Sequence, residues 1–212
     1  MKQLLNTTLS VLTIFLLLQS CGGGKDGNNQ TSDFKTMVIE FQTTTSIIGV
    51  KTAEHQTQWI DQKNNKKAVL TIKETSLMGQ ITKEETLDIN DGDWWYSIDL
   101  KAKTGTKGNS KAIKDMAVSI GSMMNIDEKG LREFVEKNGG KIIGNESFLG
   151  KDCLVYEMMG TKQWMYKGIV LKAVMGEITM IEAIKIEEDV NIPAERFNIP
   201  EGITITEIPN LL

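Results

Sequence analysis

Between Met37 and Glu187 the chain alternates apolar and polar residues with a period of two, and it breaks that rhythm once. Such alternation puts one set of side chains on each face of a pleated strand, so it commits most of the chain to β-structure. Met37, Ile39 and Phe41 share one face of a first strand. His55–Ile60, Ala68–Ile72, Ile81–Ile89 and Trp94–Ile98 follow, separated by the turn-forming runs 61–65 and Asn90-Asp91-Gly92-Asp93. The period then changes to that of a helix. Ile113, Met116, Ala117, Ile120 and Met124 recur at one helical face after Ser110, a candidate cap, and Asp127 opens a second stripe of Leu131, Phe134 and Val135 that Gly139-Gly140 stops. Strands resume over 141–148, 153–158, 162–167, 169–175 and 178–187, and Ile192-Pro193 and Ile199-Pro200 mark an extended tail. Five strands, two helices and five strands predict an α+β fold in which the helical pair covers an apolar sheet face.

The first 33 residues have a different character. Lys2 is followed by the apolar run Val11–Leu18, too short to span a bilayer and of the length of a cleavable leader. Leu18-Gln19-Ser20-Cys21 resembles the lipobox of bacterial lipoproteins. The resemblance implies a signal peptide over 1–20 and a diacylglyceryl group on the Cys21 thiol, whose acyl chains anchor the protein stably. The following Gly22-Gly23-Gly24-Lys25-Asp26-Gly27 stretch opens a tether over 21–34 with an end-to-end distance of about 18 Å, leaving 35–212 as one domain. The absence of Asp after Cys21 points to the outer membrane of a bacterial cell envelope, on its periplasmic or surface side.

Further motifs carry a resemblance to a known family. Asp91-Gly92-Asp93-Trp94-Trp95-Tyr96-Ser97-Ile98-Asp99 and Gly144–Tyr156 are similar to two hairpins of the LolA, LolB and LppX group of lipoprotein and lipid carriers, and Trp164–Leu171 follows where that group has another tryptophan-bearing hairpin. The resemblance implies a half-barrel: a curved antiparallel sheet of about ten strands with two central helices on its concave face. It also implies an apolar cavity between sheet and helices for an acyl chain or the lipid of another lipoprotein. Trp94, Tyr96, Met116, Ile120, Met124 and Met165 are the residues it nominates to line that space, and Leu77 and Met78, in an expected hairpin turn, are nominated to meet the membrane or the cargo. Methionine suits a variable apolar guest, but it also fills irregular cores. Tyr96 and Trp94 share a strand face, where core packing is the commoner explanation of such pairs.

Other chemistries find little support. The formal charge of −4 without a basic cluster argues against nucleic acid. His55 is the only histidine, which rules out multi-histidine metal sites, and no nucleophile elbow, phosphate loop or dinucleotide fingerprint is present. No cofactor or metal is expected. With Cys21 acylated, Cys153 lacks a partner in the chain and reads as a small buried hydrophobe. The expectation is therefore a lipid-anchored, non-enzymatic envelope protein that binds an apolar ligand. The alternative is a protein-interaction or sensor module with a filled core, and the oligomeric state is open.

Overall fold

The computed structural model describes residues 34–47, 49–109 and 128–208. Its strands are β1 (Thr36–Ile47), β2 (Val50–Asp61), β3 (Lys66–Leu77), β4 (Gln80–Asn90), β5 (Trp94–Asp99), β6 (Thr104–Asn109), β7 (Lys141–Phe148), β8 (Lys151–Met158), β9 (Thr161–Tyr166), β10 (Ile169–Met175), β11 (Ile178–Glu188) and β12 (Thr204–Glu207). Among the described residues one helix, α1 (Glu128–Lys137), precedes β7, and a short 3₁₀ turn occupies Ala194–Phe197.

All twelve strands form one sheet in the order β12-β6-β5-β4-β3-β2-β1-β11-β10-β9-β8-β7. Two antiparallel meanders, β1–β6 and β7–β11, are joined by the β1–β11 pair, and β12 adds to β6 in parallel. This corrects the expected half-barrel of about ten strands with two central helices. The sheet has two strands beyond that expectation, and α1 lies against β7 and β8 at the sheet margin. The helix expected from Ser110 to Met124 lies outside the described residues, as does Asp127.

The two additional strands have physical reasons for evading a periodicity reading. β6 reads Thr-Gly-Thr-Lys-Gly-Asn and has no apolar face. Its glycines make room for neighbours: a Cβ on Gly105 would lie 2.9 Å from Ile205 Cδ1 and 2.9 Å from the Ser97 carbonyl oxygen. β12 is four residues of the tail beyond Pro200, paired only as an edge.

Pairing through β1–β6 runs without a register shift, so its faces follow directly. One face carries Trp59, Ala68, Ile89 and Ile98, and the C-terminal tail covers it with Ile192, Phe197 and Ile203. The Arg196 guanidinium sits 4.8 Å from the centroid of the Trp59 ring. Burying Phe197 here is worth about 2–3 kcal/mol. On β1 the opposite face is apolar and continues into the second meander: Met37, Ile39, Phe41, Leu171, Ala173, Ile181 and Ala183 form the largest core cluster. A third cluster packs Leu131 and Val135 of α1 on Leu154, Tyr156 and Met158. Gly139, at φ 77°, and the Gly140 N–H bonded to the Val135 carbonyl end that helix where the sequence indicates.

Candidate functional site

The chain comes into the domain at a tightly held point. Phe34 is buried, so packing begins one residue before the expected boundary. The Lys35 N–H donates to Asp189 Oδ1 at 2.9 Å, and the Thr36 hydroxyl donates to the Val190 carbonyl at 2.6 Å. Beside them the Glu188 carboxylate accepts from Lys151 Nζ, from Lys167 Nζ at 2.6 Å and from Tyr166 OH at 2.9 Å. Burial pushes this carboxyl up, but the two lysines and the tyrosine outweigh it and hold the group at about 2. The cluster fastens the start of β1 to the ends of β8, β9 and β11.

At the opposite end of the strands the surface changes. The hairpin between β3 and β4 turns on Met78-Gly79, and that between β8 and β9 on Met159-Gly160. Met78 and Gly79 have φ of 50° and 81°, and Met159 and Gly160 have 53° and 74°. Positive φ at both central residues is the pattern of a type I′ turn, whose first position prefers Asn, Asp or Gly. Met78 is 95% exposed, Met159 85% and Ile81 71%. Leu77, Met175 and Ile178 are also exposed at this end. A large apolar side chain held at positive φ in open solvent adds nothing to the fold. The twelve-residue β3 puts Met78 about 36–40 Å from the end where Phe34 enters, and the eight-residue β8 puts Met159 about 23–27 Å from it.

The residues nominated as a ligand lining do not come together. Trp94 stands near the end of β5 with Lys107 Nζ 4.5 Å from the centroid of its ring, and Tyr96 packs in the cluster under the C-terminal tail. Met165 packs with α1 on β9, seven strands away in the sheet order. Met116, Ile120, Met124 and Cys21 lie outside the described residues. Leu77 and Met78 are at an exposed hairpin tip, as their neighbours in sequence imply. Open recesses lie elsewhere among the described residues. One is bounded by Lys35, Asp61, Lys63 and Asp189, another by Gly139, Lys141, Met158, Met159 and Val174, and neither touches Trp94, Tyr96 or Met165.

The sheet also holds a buried polar row that the sequence pattern does not announce. On the face of β2–β4 away from the tail, Gln58 Nε2 donates to Gln56 Oε1 at 2.6 Å, and Gln56 Nε2 donates to Thr71 Oγ1 at 3.3 Å. Gln56, Gln58 and Lys67 are all buried. Among the described residues the Gln58 Oε1 and Asp88 Oδ1 atoms have no donor. Burial pushes the Asp88 carboxyl up, against a Ser97 hydrogen bond and the Lys67 charge. Cys153 is buried, and burial raises its thiol. His55 lies on a strand with its Nε2 3.8 Å from Glu40. Among the described residues no group of three or more His, Cys, Asp or Glu side chains could hold a metal ion, and no helix is long and apolar enough to cross a membrane.

No protein-family model matches the chain, and no curated protein does. Among solved structures it is similar to an uncharacterized conserved protein from Thermus thermophilus, with a TM-score of 0.47 and 7% identity over 84% of this chain and 93% of that one. It is also similar to PNGF-II, with a TM-score of 0.34 and 12% identity over 82% of this chain and 32% of that one.

Proposed function

We propose that this is a non-catalytic, lipid-anchored protein of the bacterial cell envelope that holds its domain on the Cys21 tether and engages lipid through its distal hairpin tips. One observation carries the contact: Met78, a strained and almost fully exposed methionine, stands with Leu77 and Ile81 at the end opposite the tether. The lipobox-like Leu18–Cys21 and the glycine-rich stretch after it support the anchor. An exposed uncharged tip between polar strands partitions into an acyl boundary by burying alkyl surface, at about 25 cal/mol per Å².

The anchor is tested by metabolic labelling with a palmitate analogue. Label is expected in the wild-type chain and absent from Cys21→Ala. The tip is tested by flotation of the Cys21→Ala protein with vesicles of phosphatidylethanolamine and phosphatidylglycerol, which removes the anchor's own affinity. Flotation is expected to fall at least about tenfold in Leu77→Glu/Met78→Glu, since two buried apolar side chains are worth more than about 1.4 kcal/mol. Equal flotation of the two proteins rejects the lipid contact.

A second reading is a protein-interaction or sensor module with the same tether. It draws on the clusters around Phe41, Tyr156 and Leu171, which the chain's own side chains fill. Cross-linking from position 78 in intact cells separates the two: one defined protein adduct, with no vesicle flotation, favours the module.

A further inference from the structure

The chain has eleven methionines, and those the structure describes fall into contrasting environments. Met37 is 0% exposed, Met158 is buried, and Met165 and Met180 are partly buried against core clusters. Met78 and Met159 occupy the first position of their respective turns with their thioethers in solvent. We infer that Met78 and Met159 are oxidation sites whose conversion to sulfoxide turns the distal end from apolar to polar and releases the lipid surface it holds. The inference rests on the tip reading above for its consequence, and on exposure alone for the sites.

The chemistry needs an oxidant of the hydroperoxide class and no catalytic group. A sulfur lone pair attacks one peroxide oxygen, the S–O bond forms and the O–O bond breaks. Sulfur loses two electrons, and the departing hydroxide takes the proton of the sulfur-bound hydroxyl and leaves as water, giving the sulfoxide. The product is a polar, chiral side chain in place of a flexible apolar one. At Met37 that oxygen would be forced into a close-packed core beside Ile39 and Phe41. At a hairpin tip it meets only water, so the fold survives while the tip's partition into lipid does not. Among the described methionines the switch thereby lies at the distal end, which Met175 also borders. Cys153, the cysteine sulfur of the domain, is buried away from oxidants.

The test takes the Cys21→Ala chain through a timed exposure to hydrogen peroxide, with sulfoxide quantified residue by residue by peptide mass spectrometry. Aliquots are then floated with the phosphatidylethanolamine and phosphatidylglycerol vesicles. Met78 and Met159 are expected to oxidise at least about tenfold faster than Met37, with unchanged far-ultraviolet circular dichroism. Flotation is expected to fall in step with Met78 sulfoxide and to return after treatment with methionine sulfoxide reductases. Met78→Leu/Met159→Leu/Met175→Leu, which keeps an apolar tip, is expected to float as the parent does and to keep its flotation in peroxide. Oxidation of Met78 no faster than Met37, or undiminished flotation of the oxidised protein, overturns the inference. Failure of the reduced protein to float rejects the tip reading and the switch together, while the order of oxidation still decides the sites.

Discussion

The indole of Trp95 occupies the space that a side chain at position 108 would need: a Cβ on Gly108 would lie 2.5 Å from Trp95 Nε1 and 2.7 Å from Cε2. The two residues are directly paired across β5 and β6. Gly108→Ala is therefore expected to destabilise the domain by about 1–3 kcal/mol through overpacking, although the residue adopts an ordinary strand conformation. Urea denaturation measures the loss, and Trp95→Ala/Gly108→Ala should recover part of it. A change in Gly108→Ala below about 0.5 kcal/mol would show that the indole rotates away freely.

The Glu188 cluster predicts a specific acid sensitivity. A carboxyl held at about 2 in the folded chain and near its usual value in the unfolded chain binds protons more readily when unfolded. Its contribution is complete above about pH 5 and is lost as pH falls towards about 2. With one-sixth of its side chain exposed to screening solvent, the contribution is about 1–2 kcal/mol. Glu188→Gln is expected to lower Tm at pH 7 and to narrow its gap to wild type as pH drops from 5 to 3. A gap independent of pH would mean that the carboxylate's charge contributes nothing to the clamp on β1.

The paired glutamines give a double-mutant cycle. Gln56→Leu removes both the acceptor for Gln58 Nε2 and the donor to Thr71, leaving a buried amide unsatisfied, at a cost of about 1–3 kcal/mol. Gln58→Leu removes a carbonyl that has no donor among the described residues but strands Gln56 Oε1. Gln56→Leu/Gln58→Leu removes the whole set and is expected to be more stable than Gln56→Leu, with a coupling of about 1 kcal/mol or more. Strict additivity in thermal melts would show that the two amides do not depend on each other. Asp88→Asn should raise Tm at pH 7, because burial disfavours the charged carboxylate, and that advantage should shrink in acid as the wild-type group is protonated.

Ten of the twelve strands are legible from alternation, as at Met37-Ile39-Phe41, or from a short apolar run, as at Cys153–Tyr156. β6 is not, because Gly105 and Gly108 look like loop residues until Ile205 and Trp95 are seen pressing on them. Gln56 and Gln58 fall on the polar side of a strand pattern, and alternation cannot tell a solvated polar face from a buried one. The tips are half-legible. Met78-Gly79 and Met159-Gly160 each carry the glycine of a two-residue turn, yet Met in place of Asn hides the signal. The placement of Trp94, Tyr96 and Met165 in separate clusters depends on strand order, which local pattern does not determine.

That departure from turn chemistry supplies a final experiment. Asn tolerates positive φ far better than Met, so Met78→Asn should relieve backbone strain and stabilise the domain by about 0.5–1 kcal/mol. The same change removes an apolar side chain that is 95% exposed and so contributes no packing. If the methionine is kept for contact with lipid, Met78→Asn gains stability and loses flotation, whereas Met78→Leu loses neither. The opposition between the two readouts is the signature of a residue retained for function at the expense of the fold. A Met78→Asn protein that is both more stable and fully able to float would leave the strained methionine without a role at the distal end.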